Sequence, residues 1–237
     1  MNIAIIGYGR MGQSISRLIN PKHELKLIVD INKPQKVQDG VIYLKKISEI
    51  DKGLLDKIDV FFEFTQPDSA KDNITELLKL KEGIKIVCGT TGWDTKSIND
   101  MVYKTKATLM ISSNFSIGIT SLIKPLQEIS KSLANKGFKA SIKDLHHKDK
   151  KDSPSGTAKM LAEIIEQQGF ECPIESTRED DHVGTHVIRF ESNLEVIKIK
   201  HKAKDRDVLA MGAIYGAEIL KGQNRPGVYS FRELIEN

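Results

Sequence analysis

The stretch Asn2-Ile3-Ala4-Ile5-Ile6-Gly7-Tyr8-Gly9-Arg10-Met11-Gly12 decides the fold. Residues 3–6 are apolar on consecutive positions, the pattern of a short strand buried on both faces in a parallel sheet. Helical spacing follows at Met11, Ile15, Leu18 and Ile19. A Gly-x-Gly-x-x-Gly run has mechanical meaning in that setting, between a strand and a helix. Gly7 permits the tight turn, Gly9 lets backbone approach a pyrophosphate, and Gly12 lets helix and strand pack closely. A second strand, Leu25 to Val29, ends in Asp30, about the ~20 residues downstream where an acid meets a ribose. The expectation is a dinucleotide site. A methyltransferase loop for S-adenosylmethionine would use the same parts and stays open. Asp30 favours a free 2′-hydroxyl, hence NADH, whereas Lys33 and Lys36 are near enough in sequence to meet a 2′-phosphate. The choice between NADH and NADPH is open.

The pattern repeats downstream. Asp59 to Phe64 reads as a strand, Thr65-Gln66-Pro67-Asp68 as a turn, and Ser69 to Leu80 as a helix. Ile84 to Cys88 is a strand ending in Gly89-Thr90-Thr91-Gly92-Trp93, and a helix spans about Asp94 to Lys104. Thr108 to Ile111 is a further strand, followed by Ser112-Ser113-Asn114-Phe115-Ser116. Alternating strands and helices predict a doubly wound, Rossmann-like α/β domain, with ligands at the carboxyl ends of the strands. The Gly89–Gly92 and Ser112–Ser116 loops therefore fall beside the cofactor.

After Asn114 the character changes. Ile117 to Leu133 has a long helical pattern, and Gly137 to Leu145 alternates as a half-buried strand that delivers His146 and His147. Histidines exchange protons near neutral pH, and Lys150 adds a fixed cation nearby. Ser153-Pro154-Ser155-Gly156-Thr157 reads as a helix start, with Ser153 or Asp152 as N-cap and Pro154 at the first helical position. That would leave the N–H groups of Ser155, Gly156 and Thr157 unpaired and open to an anion. Proton donor, cation and anion cradle within a dozen residues suit a carboxylate-bearing substrate that must also be protonated.

The helix from Ser155 runs to Gln167, and alternating strands at Gly184–Glu191 and Leu194–His201 meet through a Ser192-Asn193 turn. These antiparallel strands predict a second, smaller α+β domain with a mixed sheet, residues 117–206; residues 1–116 and 207–237 form the dinucleotide-binding domain. One face of the sheet needs a cover, from the helices and from a partner subunit. His186 and His201, inside strands, read as structural rather than catalytic, and Cys172-Pro173 as a loop. Asp207 to Lys221 is a helix with small residues at Ala210, Gly212, Ala213, Gly216 and Ala217, suited to close packing on the first domain. Gly227 to Phe231 closes the chain as a strand or turn. Neither domain carries both the cofactor and the proton donor, which calls for closure about hinges near Ser116 and Arg206.

Composition sets the outer bounds. In 237 residues, 36 Lys and Arg against 32 Asp and Glu give a net charge of +4, too mild for a nucleic-acid partner. Cys88 and Cys172 form no metal spacing, so no metal is expected, and they read as reduced intracellular thiols. Met1 to Ile6 has no cationic lead or cleavage site of a signal peptide, and no apolar run approaches the ~20 residues of a membrane span. A soluble, cytoplasmic protein is expected.

These motifs together resemble 4-hydroxy-tetrahydrodipicolinate reductase, the dihydrodipicolinate reductase family of bacterial lysine and diaminopimelate synthesis, over nearly the whole chain. The string Asp144-Leu145-His146-His147-Lys148-Asp149-Lys150-Lys151-Asp152-Ser153-Pro154-Ser155-Gly156-Thr157-Ala158 is similar to that family's acid-x-His-His-x-x-Lys-x-Asp-x-Pro-Ser-Gly-Thr-Ala. The Gly-x-Gly-Arg-Met-Gly opening, Phe64-Thr65-x-Pro67, Gly89-Thr90-Thr91-Gly92, Asn114-Phe115-Ser116-x-Gly118 and Gly184-Thr185-His186 fall in its order. The resemblance implies NADH- or NADPH-dependent reduction of 4-hydroxy-tetrahydrodipicolinate, with His146 as proton donor and Lys150 as its essential partner. It implies that His147, Lys150, Ser155, Gly156, Thr157 and Thr91 hold the two carboxylates. It places Gly7, Gly9, Arg10, Met11, Gly12, Asp30, Lys33, Gly89, Thr91, Asn114 and Phe115 along the dinucleotide. It implies a homotetramer joined through the second domain's sheet. The chain departs at Asp144, where Glu is more usual, and in a shorter Cys172–Asp181 segment, which bears on the tetramer. An aspartate- or homoserine-type dehydrogenase would share the first half without needing the His146–Thr157 string. An NAD(H)-sensing regulator would usually add a DNA-reading module, which is not found here.

Overall fold

A computed structural model describes residues 1–19, 22–148, 150, 152–179 and 182–236. Asp149 and Lys151 of the His-His string lie outside these residues, as do Asp180 and Asp181 of the shortened segment. The chain divides into two compact units, Met1–Phe115 with Leu209–Asn237, and Ser116–Val208.

The first unit opens with β1 (Asn2–Ile6), α1 (Arg10–Leu18), β2 (Glu24–Val29) and β3 (Ile42–Leu44). A 3₁₀ turn (Ile47–Glu49) and α2 (Lys52–Leu55) lead to β4 (Val60–Glu63), α3 (Pro67–Leu80) and β5 (Lys85–Cys88). A 3₁₀ turn (Thr95–Ile98), α4 (Asn99–Lys104) and β6 (Thr108–Ile111) complete its first pass. The second unit holds α5 (Ile117–Leu133), β7 (Lys139–His146), α6 (Gly156–Glu166), β8 (Ile174–Arg178), β9 (Gly184–Glu191) and β10 (Val196–Ala203). The chain then returns through α7 (Asp207–Gly222), β11 (Gly227–Ser230) and α8 (Phe231–Glu236).

The seven strands of the first sheet lie in the order β11-β6-β5-β4-β1-β2-β3, all parallel. Its order reverses between β1 and β4, the switch point where such sheets take their ligands. Alternate residues of each strand serve opposite faces. Ala4, Ile6, Phe61, Ile86 and Leu109 pack with Ile74 and Leu77 of α3 on one face. Ile3, Ile5, Phe62, Val87 and Met110 pack with Ile15 of α1 and Ala213, Ala217 and Leu220 of α7 on the other. With both faces covered, the strands need unbroken apolar runs, which is how they read in the sequence. Strand β3 and α2 escaped that reading because each is too short to show a period.

In the second unit, the sheet runs β10-β9-β7-β8; β7 pairs parallel with β8 and antiparallel with β9. One face packs on α5 and α6 through Ala140, Ile142, Ile188 and Phe190 against Leu126, Leu161 and Ile165. Cys172-Pro173 lies in a loop, and strand β8, for which the sequence carried no expectation, follows it; Ile174-Glu175-Ser176-Thr177-Arg178 has a single strongly apolar residue, and pairing to β7 makes it a strand. Both cysteines are free and buried. Among the described residues no helix is long and apolar enough to cross a membrane.

The small residues of α7 permit its close approach. A Cβ on Gly212 would lie 1.7 Å from the Phe115 carbonyl oxygen, and one on Gly216 2.5 Å from Met110 Cε. Gly212→Ala should therefore lower the stability of the first unit by about 1–3 kcal/mol, since the clash is with backbone that cannot rotate away. Urea unfolding followed by circular dichroism tests this, and an unchanged midpoint would contradict the packing.

Candidate active site

The loops after β1, β2, β4, β5 and β6 lie at the carboxyl ends of the strands, where a sheet of this kind forms its ligand crevice. Gly7 adopts φ +90°, and a Cβ there would sit 2.5 Å from the Phe64 carbonyl oxygen. A Cβ on Gly12 would sit 2.4 Å from the Gly7 carbonyl oxygen, while one on Gly9 would meet nothing within 4 Å. The outer two glycines are thus required by the fold, and the middle one leaves open space at the start of α1, where backbone N–H groups favour phosphate. Arg10 and Met11 begin that helix, with Arg10 exposed. Asp30 accepts from the Tyr8 N–H (2.6 Å) and the Asn32 N–H (2.8 Å), which fixes its carboxylate beside the glycine turn. Lys33 is exposed just beyond. Glycine cradle, helix start and fixed acid fit a nicotinamide dinucleotide.

Two loops flank this cleft. A Cβ on Gly89 would lie 2.0 Å from the Phe64 ring, so this glycine makes room for Phe64, and Thr91 beyond it is exposed. The ring of Phe115 is sunk between those of Phe64 and Phe231, with centroids 5.8 and 5.3 Å away, and anchors the loop that carries Asn114. Glu63 was not foreseen from its place in an apolar run. Fully buried at the end of β4, it accepts from the Thr65 hydroxyl, the Asn73 amide (3.3 Å) and the Cys88 thiol (3.4 Å), and so ties the loop after β4 to β5.

In the second unit, the inner face of the sheet turns from apolar to polar along its strands. Ser176, Asp144, His186 and His201 form one row across β8, β7, β9 and β10, and His146 pairs with Arg178 in the next. Asp144 has no exposed surface, yet its oxygens are fully engaged. Ser155 donates to it from its N–H (2.9 Å) and its hydroxyl (2.7 Å), Ser176 from its hydroxyl (3.3 Å), and Arg178 Nη2 lies 3.4 Å away. His146 Nδ1 is 3.0 Å and His186 Nε2 3.4 Å from Oδ1. The donor atoms of Asp144, His146 and His186 lie within 4.8 Å of one another, a spacing that could hold a metal ion, but the serines and the guanidinium have already claimed the carboxylate. With Nδ1 turned to Asp144, His146 keeps Nε2 for another partner, and a Cβ on Gly184 would crowd that nitrogen at 3.1 Å.

The helix start differs from the expectation. The N-cap of α6 is Ser155, whose hydroxyl accepts from the Ala158 N–H (3.2 Å), and not Ser153 or Asp152. Pro154 precedes the cap, after a cis peptide bond, instead of occupying the first helical position. The Ser155 N–H is not open to an anion, because Asp144 takes it. Gly156 and Thr157 form the first turn. Asp152 accepts from Lys150 Nζ at 2.8 Å. Arg178 secures this loop by donating to the Asp152 carbonyl (2.7 Å). His147, half-buried, follows His146 directly.

Charge states follow from these contacts. Burial alone would raise the Asp144 carboxyl, but the close approach of His146 Nδ1 and the hydrogen bonds from Ser155 overcome it and hold the group far below the usual carboxylate range. Burial pushes His186 down to about 4, helped by His146 and His201 and opposed by Asp144. It is a neutral ring stacked edge-on to His146 (centroids 5.3 Å) and face-on to His201 (6.0 Å). Asp152 is held low: burial would raise it, and Lys150 outweighs burial.

Comparison with known proteins agrees with this geometry. Residues 1–115 match the family described as dihydrodipicolinate reductase, N-terminus, and residues 118–235 its C-terminus. The chain belongs to the dihydrodipicolinate reductase family. The 4-hydroxy-tetrahydrodipicolinate reductase of Christiangramia forsetii is 32% identical over 255 residues, covering 100% of this chain and 98% of the relative. That of Archaeoglobus fulgidus is 32% identical over 266 residues, covering 100% of both. A dipicolinate-bound dihydrodipicolinate reductase from Paenisporosarcina sp. TG-14 shares the fold, with a TM-score of 0.79 at 20% identity and 98% of each chain covered. As a member of the dihydrodipicolinate reductase family, the chain is an oxidoreductase with a nicotinamide dinucleotide cofactor.

His186 makes stability pH-dependent. Its folded pKa lies below the unfolded 6.5, so the unfolded chain takes the proton first and stability is lost as pH falls from 6.5 towards 4. Between pH 7.5 and 5 the loss should be ~2 kcal/mol, and His186→Gln should remove most of it. Thermal midpoints of both proteins across that range decide the matter; parallel pH profiles would exclude His186 as the cause.

Proposed function

We propose that the chain reduces 4-hydroxy-tetrahydrodipicolinate to tetrahydrodipicolinate in diaminopimelate and lysine synthesis, with His146 as proton donor. The observation that carries this is one buried carboxylate, Asp144, gripping both His146 and the start of α6. Family membership and relatives named for this activity support it.

When bound, a reduced nicotinamide would supply hydride chemistry toward an electron-poor ring carbon conjugated with an imine. Gly7, Gly9, Arg10, Met11, Gly12, Asp30 and the Gly89 and Asn114 loops would hold the dinucleotide. Asp30 suits a free ribose hydroxyl, as in NADH, and Lys33 a phosphate, as in NADPH. His146 gives its proton from Nε2 to the charge that develops on the substrate, while Asp144 at Nδ1 fixes the ring. Lys150, His147, Gly156 and Thr157 hold the substrate carboxylates, the helix start adding its partial positive charge. Ser155 serves from beneath, since its polar groups are committed to Asp144 and to the cap. The reaction belongs to the cytoplasm.

The chain assembles as a homotetramer through the second sheet, whose outer face presents Val187 and Val196 among Lys143, Lys198 and Lys200. Light scattering should give four times the 26.6 kDa chain mass; a monomer would overturn this part.

The chemical assay is oxidation of NADH or NADPH with substrate generated in place from pyruvate and aspartate semialdehyde. His146→Gln should lower kcat by roughly 10²–10⁴ and leave dinucleotide affinity intact. Lys150→Ala should lower kcat and raise KM together. Wild-type turnover by His146→Gln would refute the assignment.

A further inference from the structure

The carboxylate cradle described above already contains a carboxylate. Asp152 precedes α6, and Lys150 Nζ donates to it at 2.8 Å. That ammonium is one of the groups assigned to the substrate. Asp152 itself is exposed over about half of its side chain, whereas Lys150 is three-quarters buried, so the lysine is the fixed member of the pair. The Asp152 carbonyl is tied to Arg178, so its backbone can stay in place while the side chain swings out into water.

We propose that Asp152 is an internal stand-in for a substrate carboxylate, which pairs with Lys150 in the empty enzyme and is displaced when a dicarboxylate binds. This deepens the reading of Lys150 as a carboxylate ligand and rests on it. Pairing keeps the Lys150 ammonium aimed at the cradle. The occupant also sets a threshold. A ligand must outcompete a tethered carboxylate, so the apparent affinity is the intrinsic one reduced by the fraction of enzyme in which Asp152 has swung away. A ligand with one weakly held carboxylate bears the same cost as one with two, and that biases the site toward dicarboxylates.

The test is calorimetric titration of the dinucleotide-loaded enzyme with dipicolinate, a planar pyridine dicarboxylate. Asp152→Asn keeps the shape and removes the charge. It should tighten dipicolinate binding about two- to fivefold, the range for loss of a partly exposed ion pair, and lower KM in step. Asp152→Ser should act in the same direction, which guards against an effect peculiar to the amide. Unchanged or weaker binding by both variants, with the circular dichroism spectrum of the wild type, would overturn the proposal, since an aspartate that merely oriented Lys150 would lose affinity on removal. Lys150→Gln separates this from the underlying reading. It should weaken dipicolinate at least tenfold and abolish the gain from Asp152→Asn in the double variant. If Lys150→Gln leaves binding unchanged, the cradle itself is misassigned; if it weakens binding while the Asp152 variants fail to tighten it, only the stand-in role falls.

Discussion

The second unit depends on one carboxylate. A fully buried Asp144 would be costly unless every lone pair were used. Here two serines, an arginine and a histidine use them, and each of those partners belongs to a different piece of the site. Ser155 is the cap of α6, Arg178 secures the loop before that helix, and His146 is the proposed proton donor. Removing the carboxylate would free the cap, the loop and the imidazole at once, leaving an unpaired guanidinium behind. The site is therefore preorganised by the same contacts that make the unit fold, and rigidity of this kind is what electrostatic stabilisation requires.

The first unit reaches its site by different means. Its parts are backbone and space: a glycine in a left-handed conformation at residue 7, a second against a carbonyl at residue 12, and a carboxylate held by the N–H of Tyr8. The buried Glu63 lies at the end of β4, beside the switch point between β1 and β4, and does for this unit's loops what Asp144 does for the other's. Both units thus place a sequestered acid where strand ends and loops must be kept in register.

Much of this was legible in the sequence, and the exceptions have physical reasons. Strands buried on both faces betray themselves as apolar runs, so the doubly wound sheet could be read from Ile3–Ile6, Val60–Phe64 and Ile84–Cys88. The His146–Thr157 string holds residue types suited to proton transfer and anion binding, and the roles proposed for them rest on that. The role of His186 was hidden, because its own strand alternates polar and apolar residues and nothing in it marks this histidine; only pairing of β9 with β7 sets it opposite Asp144. Arg178 was hidden for the same reason, in a strand with little hydrophobic pattern. The cap of α6 was misplaced by two residues because Ser-Pro-Ser offers two plausible starts, and the buried acid at residue 144 selects the second serine.

The return of α7 and β11 to the first sheet has a consequence for synthesis on the ribosome. Residues 116–208, the whole second unit, emerge before the segment that covers Met110 and Phe115 and pairs with β6. The inserted body can close early, while the nucleotide-binding sheet waits, one flank bare, for the last thirty or so residues. The nascent chain thus exposes a greasy sheet surface for that interval, a hazard of interrupted domains that contiguous ones avoid.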